Sequence, residues 1–275
     1  MQTIKVIIIT LKEILNLCIK NKNIILELAK REFGDRYVGQ IFGMLWVIIH
    51  PLILMLVFMF IFVVVFKVKA QGLISITDDY ATYLLSGLSA WLVIQEVLTK
   101  SSTMITSNAN LIKQVVFPVE VLPIKTVTSS LLTMVLFILI LLFYTAIIKQ
   151  TYSYMLLFLP FLIYMQIIFM LGLAFMLSSI GVYVRDIKDV VQLFAFIGVF
   201  IMPVMYLPSQ IPALFEPFIY ANPFSYLIFC YQDLFFYGNF AHWYAWVFMF
   251  VFSHSLLIFS YILFKRLKIM FGDVL

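Results

Sequence analysis

Charge is what this 275-residue sequence has least of. Only 11% of it is Asp, Glu, Lys or Arg, against 64% hydrophobic residues, a balance no soluble globular domain approaches. No charge falls near the middle of any long apolar run. That counts against an ion-coupled transporter, whose relays need buried carboxylates or histidines. Cysteine is nearly absent, and Cys18 and Cys230 form no metal motif. The topology below puts them on opposite sides of a membrane, so no disulfide between them is expected. His50, His242 and His254 are dispersed without ligand spacing. His50 directly precedes Pro51, where it is expected to bond a backbone group freed by the proline. No glycine-rich loop ends in Lys-Ser or Lys-Thr, so the chain has no phosphate loop of its own.

What is present is membrane sequence. Apolar runs predict an all-α polytopic membrane protein, one domain over 1–275, with six transmembrane helices. The spans fall at about Ile41 to Phe66, Tyr80 to Leu98, Val119 to Ile148, Tyr154 to Val182, Val190 to Leu207 and Tyr244 to Phe264. Only Lys67, Lys69 and Lys149 of the eighteen Lys and Arg then lie on one side. The positive-inside rule therefore places both termini in the cytoplasm of a multi-pass inner-membrane protein. This charge flanks spans rather than gathering on a domain, which makes nucleic acid a poor partner.

Residues 1–40 precede the first span. From Ile4 to Lys20, the residues Lys5, Lys12, Glu13, Asn16 and Lys20 share about a third of the helical wheel. From Asn23 to Tyr37, Ile25, Ala29, Phe33 and Tyr37 recur every fourth position. Both segments read as interfacial amphipathic helices.

The polar break from Thr106 to Lys125 stands out against its surroundings. Thr106, Ser107 and Asn108 can each cap a short helix. Leu111, Ile112, Val115 and Val116 follow at helical spacing, with Lys113 and Gln114 opposite. Phe117-Pro118 closes the turn. This is either a polar loop or a docking helix, 107–117, with an apolar ridge for a cytoplasmic partner. A second break, with Pro203, Pro208, Pro212, Pro217 and Pro223 among aromatics, predicts short re-entrant outer helices over 208–240. Gly172, Ser178 and Gly181 would let neighbouring helices approach closely. Trp91, Trp243 and Trp246 read as interfacial anchors. Arg185 beside Asp186 reads as a local ion pair or cap at the turn between spans four and five.

The stretches AKREFGDRYVGQIFGMLWVIIHP, NANLIKQVVFPVEVLPIK and VYVRDIKDVVQLFAFIGVFIMPVMY resemble, in this order and spacing, the permeases of polysaccharide-exporting ABC transporters of the Wzm and TarG type. The likeness covers nearly the whole chain after residue 20. His50 stands where asparagine is expected before the proline, and the helix from Ile4 to Lys20 is less typical. The resemblance implies a homodimer of permeases bound to two separate ATPase chains, which hold the ATP and Mg; this chain needs no cofactor and is not an enzyme alone. Asn108, Leu111, Ile112, Lys113, Val115, Val116 and Phe117 would dock the ATPase, with Arg31 and Arg36 of the elbow as a second contact. The implied cargo is a lipid-linked polysaccharide: O-antigen, capsule or teichoic acid. Its path is assigned to aromatic surfaces that let sugars slide, namely Phe58 and Phe62 on span one, Phe194, Phe200 and Tyr206 on span five, and Tyr220 and Phe224 at the outer gate. The alternatives are a similar exporter of drugs or small lipids, or a membrane-embedded transferase acting on lipid-linked sugars.

Overall fold

The helix at the centre of the molecule is the least apolar of its five candidate spans. A computed structural model describes the backbone of residues 2–35, 39–66, 80–114, 118–149 and 153–274, and no strand occurs among them. Helix α1 is Gln2–Lys20, α2 is Lys22–Asp35, and α3 is Trp46–Met59, continued by a π-helical turn, Phe60–Val65. Helix α4 is Tyr80–Ser107, α5 is Ala109–Gln114, α6 is Val121–Lys149, α7 is Leu159–Tyr183 and α8 is Ile187–Ile201. The short α9, Glu216–Ala221, and α10, Pro223–Gln232, precede α11, Trp243–Leu267, and α12, Phe271–Val274.

Among the described residues, five helical segments are long and apolar enough to cross a bilayer. They are Gly43–Val65, Tyr80–Ser107, Val121–Ile147, Tyr154–Tyr183 and Trp243–Met270. The α4 segment has a mean hydropathy of 1.3 and its most apolar stretch is 83% buried; the α3 segment has 3.0 and 17%. The inversion has a physical cause. Lipid tails are as apolar as leucine, so packing and polar satisfaction, rather than hydrophobicity, draw a helix inward. Helix α4 carries small and hydroxylated residues that satisfy themselves on their own backbone. Ser86 donates to Tyr83 O at 2.7 Å and Ser89 to Leu85 O at 2.8 Å. Close approach does the rest: a Cβ on Gly181 of α7 would stand 2.2 Å from Ser102 O of α4.

Three expectations need correction. The second span does not end at Leu98: α4 runs 28 residues, roughly 42 Å at 1.5 Å per residue, well beyond a hydrocarbon core of about 30 Å. The fifth span does not reach Leu207. Helix α8 has 15 residues, about 22 Å, and stops because Met202, forced extended before Pro203, cannot continue it (φ −88°, ψ 157°). Trp91 is no interfacial anchor but wholly buried, in edge-to-face contact with Phe194 and Phe224. It fits because Gly198 has no side chain; a Cβ there would lie 2.2 Å from the indole. Trp246 is buried too, while Trp243 is exposed.

In the 208–240 stretch, α10 lies in the bundle interior, with Leu227 to Gln232 wholly buried. Helix α1 buries Thr10 and Ile14, and α2 buries Ile25 and Ala29. The pair Lys265–Glu13, at 2.8 Å, ties α1 to the end of α11. Lys268–Glu120, at 2.7 Å, ties that same end to the start of α6.

Candidate functional site

One residue separates α4 from α5. The Thr106 and Ser107 hydroxyls donate back to Thr103 O and Met104 O at 2.9 and 3.1 Å, and Asn108 Nδ2 donates to Met104 O at 2.8 Å. All three therefore close the end of α4, satisfying its otherwise unpaired carbonyls, instead of capping α5 through their side chains as expected. The Asn108 carbonyl then accepts from Ile112 N at 3.1 Å, and α5 begins. Leu111 and Ile112 are half-buried and Lys113 is exposed. Val115, Val116, Phe117 and Arg36 lie outside the described residues.

Helices α2 and α5 flank a cleft of about 510 Å³, in which Arg31 and Asp35 of the elbow face Asn108, Asn110 and Leu111. Arg31 Nε is 3.6 Å from Asp35, an exposed pair of little energetic weight. The two predicted contact regions, far apart in sequence, are thus one surface.

Beneath that cleft is a cluster that sequence reasoning missed. Glu32 of α2 pairs with Lys100 of α4 at 3.0 Å and with Lys125 of α6 at 3.3 Å. Lys100 also pairs with Glu96 at 2.9 Å and donates to Ser129 Oγ at 3.1 Å, while Ser129 donates to Glu32 at 2.9 Å. Burial alone would raise the Glu32 carboxyl pKa. Lys100 foremost, then Lys125 and the Ser129 hydroxyl, outweigh it and hold the group below its ordinary value. The available signal was depth: Lys100 and Lys125 sit at one end of two spans and need acidic partners, of which Glu96 can serve only one.

At the opposite end, α4 grips the non-helical linker that follows α8. Tyr83 is fully buried, and its hydroxyl faces Pro203 O at 3.1 Å and Tyr206 O at 2.9 Å. Tyr80 donates to Met205 O, and Gln232 of α10 donates to Pro203 O at 2.7 Å. Asp233, wholly buried, accepts from His242 N at 3.0 Å, from Trp246 Nε1 at 3.1 Å, and contacts His242 Nδ1 at 2.7 Å. Asp233, an acid in an apolar segment nine residues before His242, could have been paired with it from sequence.

The predicted path aromatics do not form one surface. Phe194 and Phe224 pack with Trp91 and each other at 5.4 Å. Phe58 of α3 and Phe62 of the π-helical turn that continues it stack at 6.4 Å. Phe200 is exposed beside Phe196, Tyr206 bonds Ile201 O, and Tyr220 meets Tyr244 and Phe229. Arg185 and Asp186 are exposed; Asp186 occupies the N-cap position before α8 but makes no side-chain cap. No group of His, Cys, Asp and Glu suited to a metal occurs among the described residues.

The model of the ABC-2 type transporter matches residues 24–236. This chain belongs to the ABC-2 type transporter family. Like other members, it is a multi-pass membrane component and not a catalytic chain. It is 26% identical over 254 residues to an O-antigen export system permease protein of Klebsiella pneumoniae, covering 92% of this chain and 95% of that one. It is also 26% identical over 217 residues to a protein of the same description from Myxococcus xanthus, covering 78% and 81%.

Proposed function

We propose that two copies of this ABC-2 transporter chain form the membrane half of an ATP-driven exporter, bound to two ATPase subunits. Its cargo is a lipid-linked polysaccharide, and it works in the cytoplasmic membrane with both termini inside. The observation that carries the reading is the linkage through α4. At its cytoplasmic end it continues into α5 and the cleft shared with α2, which Arg31, Asn108 and Leu111 line together. At its outer end Tyr80 and Tyr83 hold the carbonyls of the broken linker 202–207. Closure of two ATPases on α5 and α2 would move a stiff lever whose far end is bonded to the outer gate, α9 and α10 included. Helix α8 is too short to cross alone, and it exposes Leu193, Phe196 and Phe200; a second copy covers that face and completes the path. The likeness to O-antigen export permeases over nearly the full length of both chains supports the polysaccharide cargo.

The test is to purify the chain with the ATPase encoded beside it and measure hydrolysis with and without lipid-linked glycan. Glycan stimulation is expected in the wild type and lost in Leu111→Asp. If the two chains do not co-purify, the reading fails. Stimulation only by drugs or small lipids would overturn the cargo assignment and keep the architecture.

A further inference from the structure

A cavity of about 290 Å³ lies between α1 and the end of α11, close to the lower bound of the roughly 300–1,000 Å³ found for small-molecule sites. Thr10 and Glu13 of α1 line it together with Tyr261, Lys265 and Arg266 of α11 and Ile269 just beyond. The pair Lys268–Glu120 sets this end of α11 beside the start of α6, so the cavity is at the same end of the bundle as α5.

The charges around it do not cancel. Glu13 is matched by Lys265 at 2.8 Å, and the same ammonium stands 5.8 Å from the centre of the Tyr261 ring, within cation–π range. Arg266 is exposed and forms no ion pair among the described residues. Two cations around one carboxylate leave a single net positive charge, and it resides on Arg266. A guanidinium is a planar fork of donors that matches phosphate oxygens. A phosphodiester carries one negative charge and brings the cavity to neutrality.

The surroundings favour a lipid over a free ion. Helix α1 is amphipathic and is tied to the end of a candidate span, the level at which headgroups lie. Ile269 on the rim is 84% exposed, and Met270 beside it is 54% exposed; acyl chains would cover both. A zwitterionic headgroup brings its own cation and would leave the net charge of the cavity unmet.

We propose that this cavity seats the headgroup of an anionic phospholipid, its phosphodiester on Arg266 and its chains running past Ile269. The lipid holds α1 against the bundle, adding to the pair Glu13–Lys265, which is half-exposed and by itself of little weight. The inference is independent of the cargo and of the ATPase.

The experiment places the full-length chain in nanodiscs of phosphatidylcholine alone, or of equal parts phosphatidylcholine and phosphatidylglycerol. Hydrogen exchange then follows the amides of α1. In wild type, the amides around Thr10 and Glu13 should exchange about tenfold more slowly with phosphatidylglycerol present, the weight of one charge-assisted contact. Arg266→Gln should lose that gain, and Arg266→Lys, which keeps the charge, should recover part of it. Arg185→Gln removes an exposed arginine outside the cavity and should keep the whole gain. Wild-type exchange in α7 and α11 establishes that each variant is folded. A gain that survives in Arg266→Gln would overturn the site. So would a gain lost equally in Arg185→Gln, which would mark a general attraction of basic flanks to an anionic surface. Equal exchange of wild type in both discs would remove the anionic lipid. Equal protection by inorganic phosphate in phosphatidylcholine alone would make the site one for a free ion, again overturning the assignment.

Discussion

Replacing Glu32 by Gln should release α2 from the bundle without unfolding the rest. The carboxylate is 19% exposed, and its partners Lys100 and Lys125 are 20% and 10% exposed. Lys100 retains Glu96 after the substitution, but Lys125 loses its counter-ion in a largely buried place. Exposed ion pairs contribute about 0–1 kcal/mol, and breaking a fully buried one costs about 3–5 kcal/mol. This intermediate cluster is worth about 2 kcal/mol, or about a 30-fold change in an opening equilibrium. Hydrogen exchange reads that equilibrium segment by segment. Amides of α2 should lose protection about 30-fold, while α7 and α11 keep theirs. Glu32→Gln combined with Lys125→Met should restore part of the loss, because contacting residues are not additive. Acid should act as the substitution does. A carboxyl with a depressed folded pKa contributes stability that is complete above its ordinary value of 4.5 and disappears as pH falls through the lower folded value. That acid loss should be absent in Glu32→Gln. A change in α2 below threefold, or an equal loss in α7 and α11, would refute the reasoning.

Tyr83→Phe removes the hydroxyl between α4 and the linker carbonyls while keeping the ring, so glycan-stimulated transport should fall several-fold with ATPase co-purification intact; unchanged transport would sink the lever. Gly181→Ala places a methyl 2.2 Å from Ser102 O and should destabilise by about 1–3 kcal/mol, seen as a lower melting midpoint. Gly172→Ala, which meets the movable Leu256 side chain at 2.9 Å first, should be milder; the reverse order would contradict the packing. Asp233→Ala strands the His242 amide and the Trp246 indole and should lower the midpoint far more than Asp233→Asn, which preserves an acceptor; equal effects would deny Asp233 its role.

The parts legible in the sequence are those written in composition and order. Long apolar runs fixed where helices cross, within a few residues for Trp243–Leu267 and for the run ending at Tyr183. The break after Ile201 was visible as Pro203, although its position shortened the expected span. The short helix at Ala109–Gln114 and the elbow at Lys22–Asp35 were visible as periodicity. Their convergence on one cleft was not, because Arg31 and Leu111 lie eighty residues apart and meet only once α4 and α6 are packed.

What the sequence by itself determined is thus a helical membrane chain with few charges, none of them near the middle of a long apolar run. Tertiary structure alone decided which helix stands at the centre. A helix apolar on every side carries no periodicity to say which face meets protein and which meets lipid. Hydropathy points the wrong way, since α4 is the least apolar of the five candidate spans and the most buried. Small side chains, self-satisfied hydroxyls and the missing Cβ atoms of Gly181 and Gly198 set the order, and those act only when two helices touch.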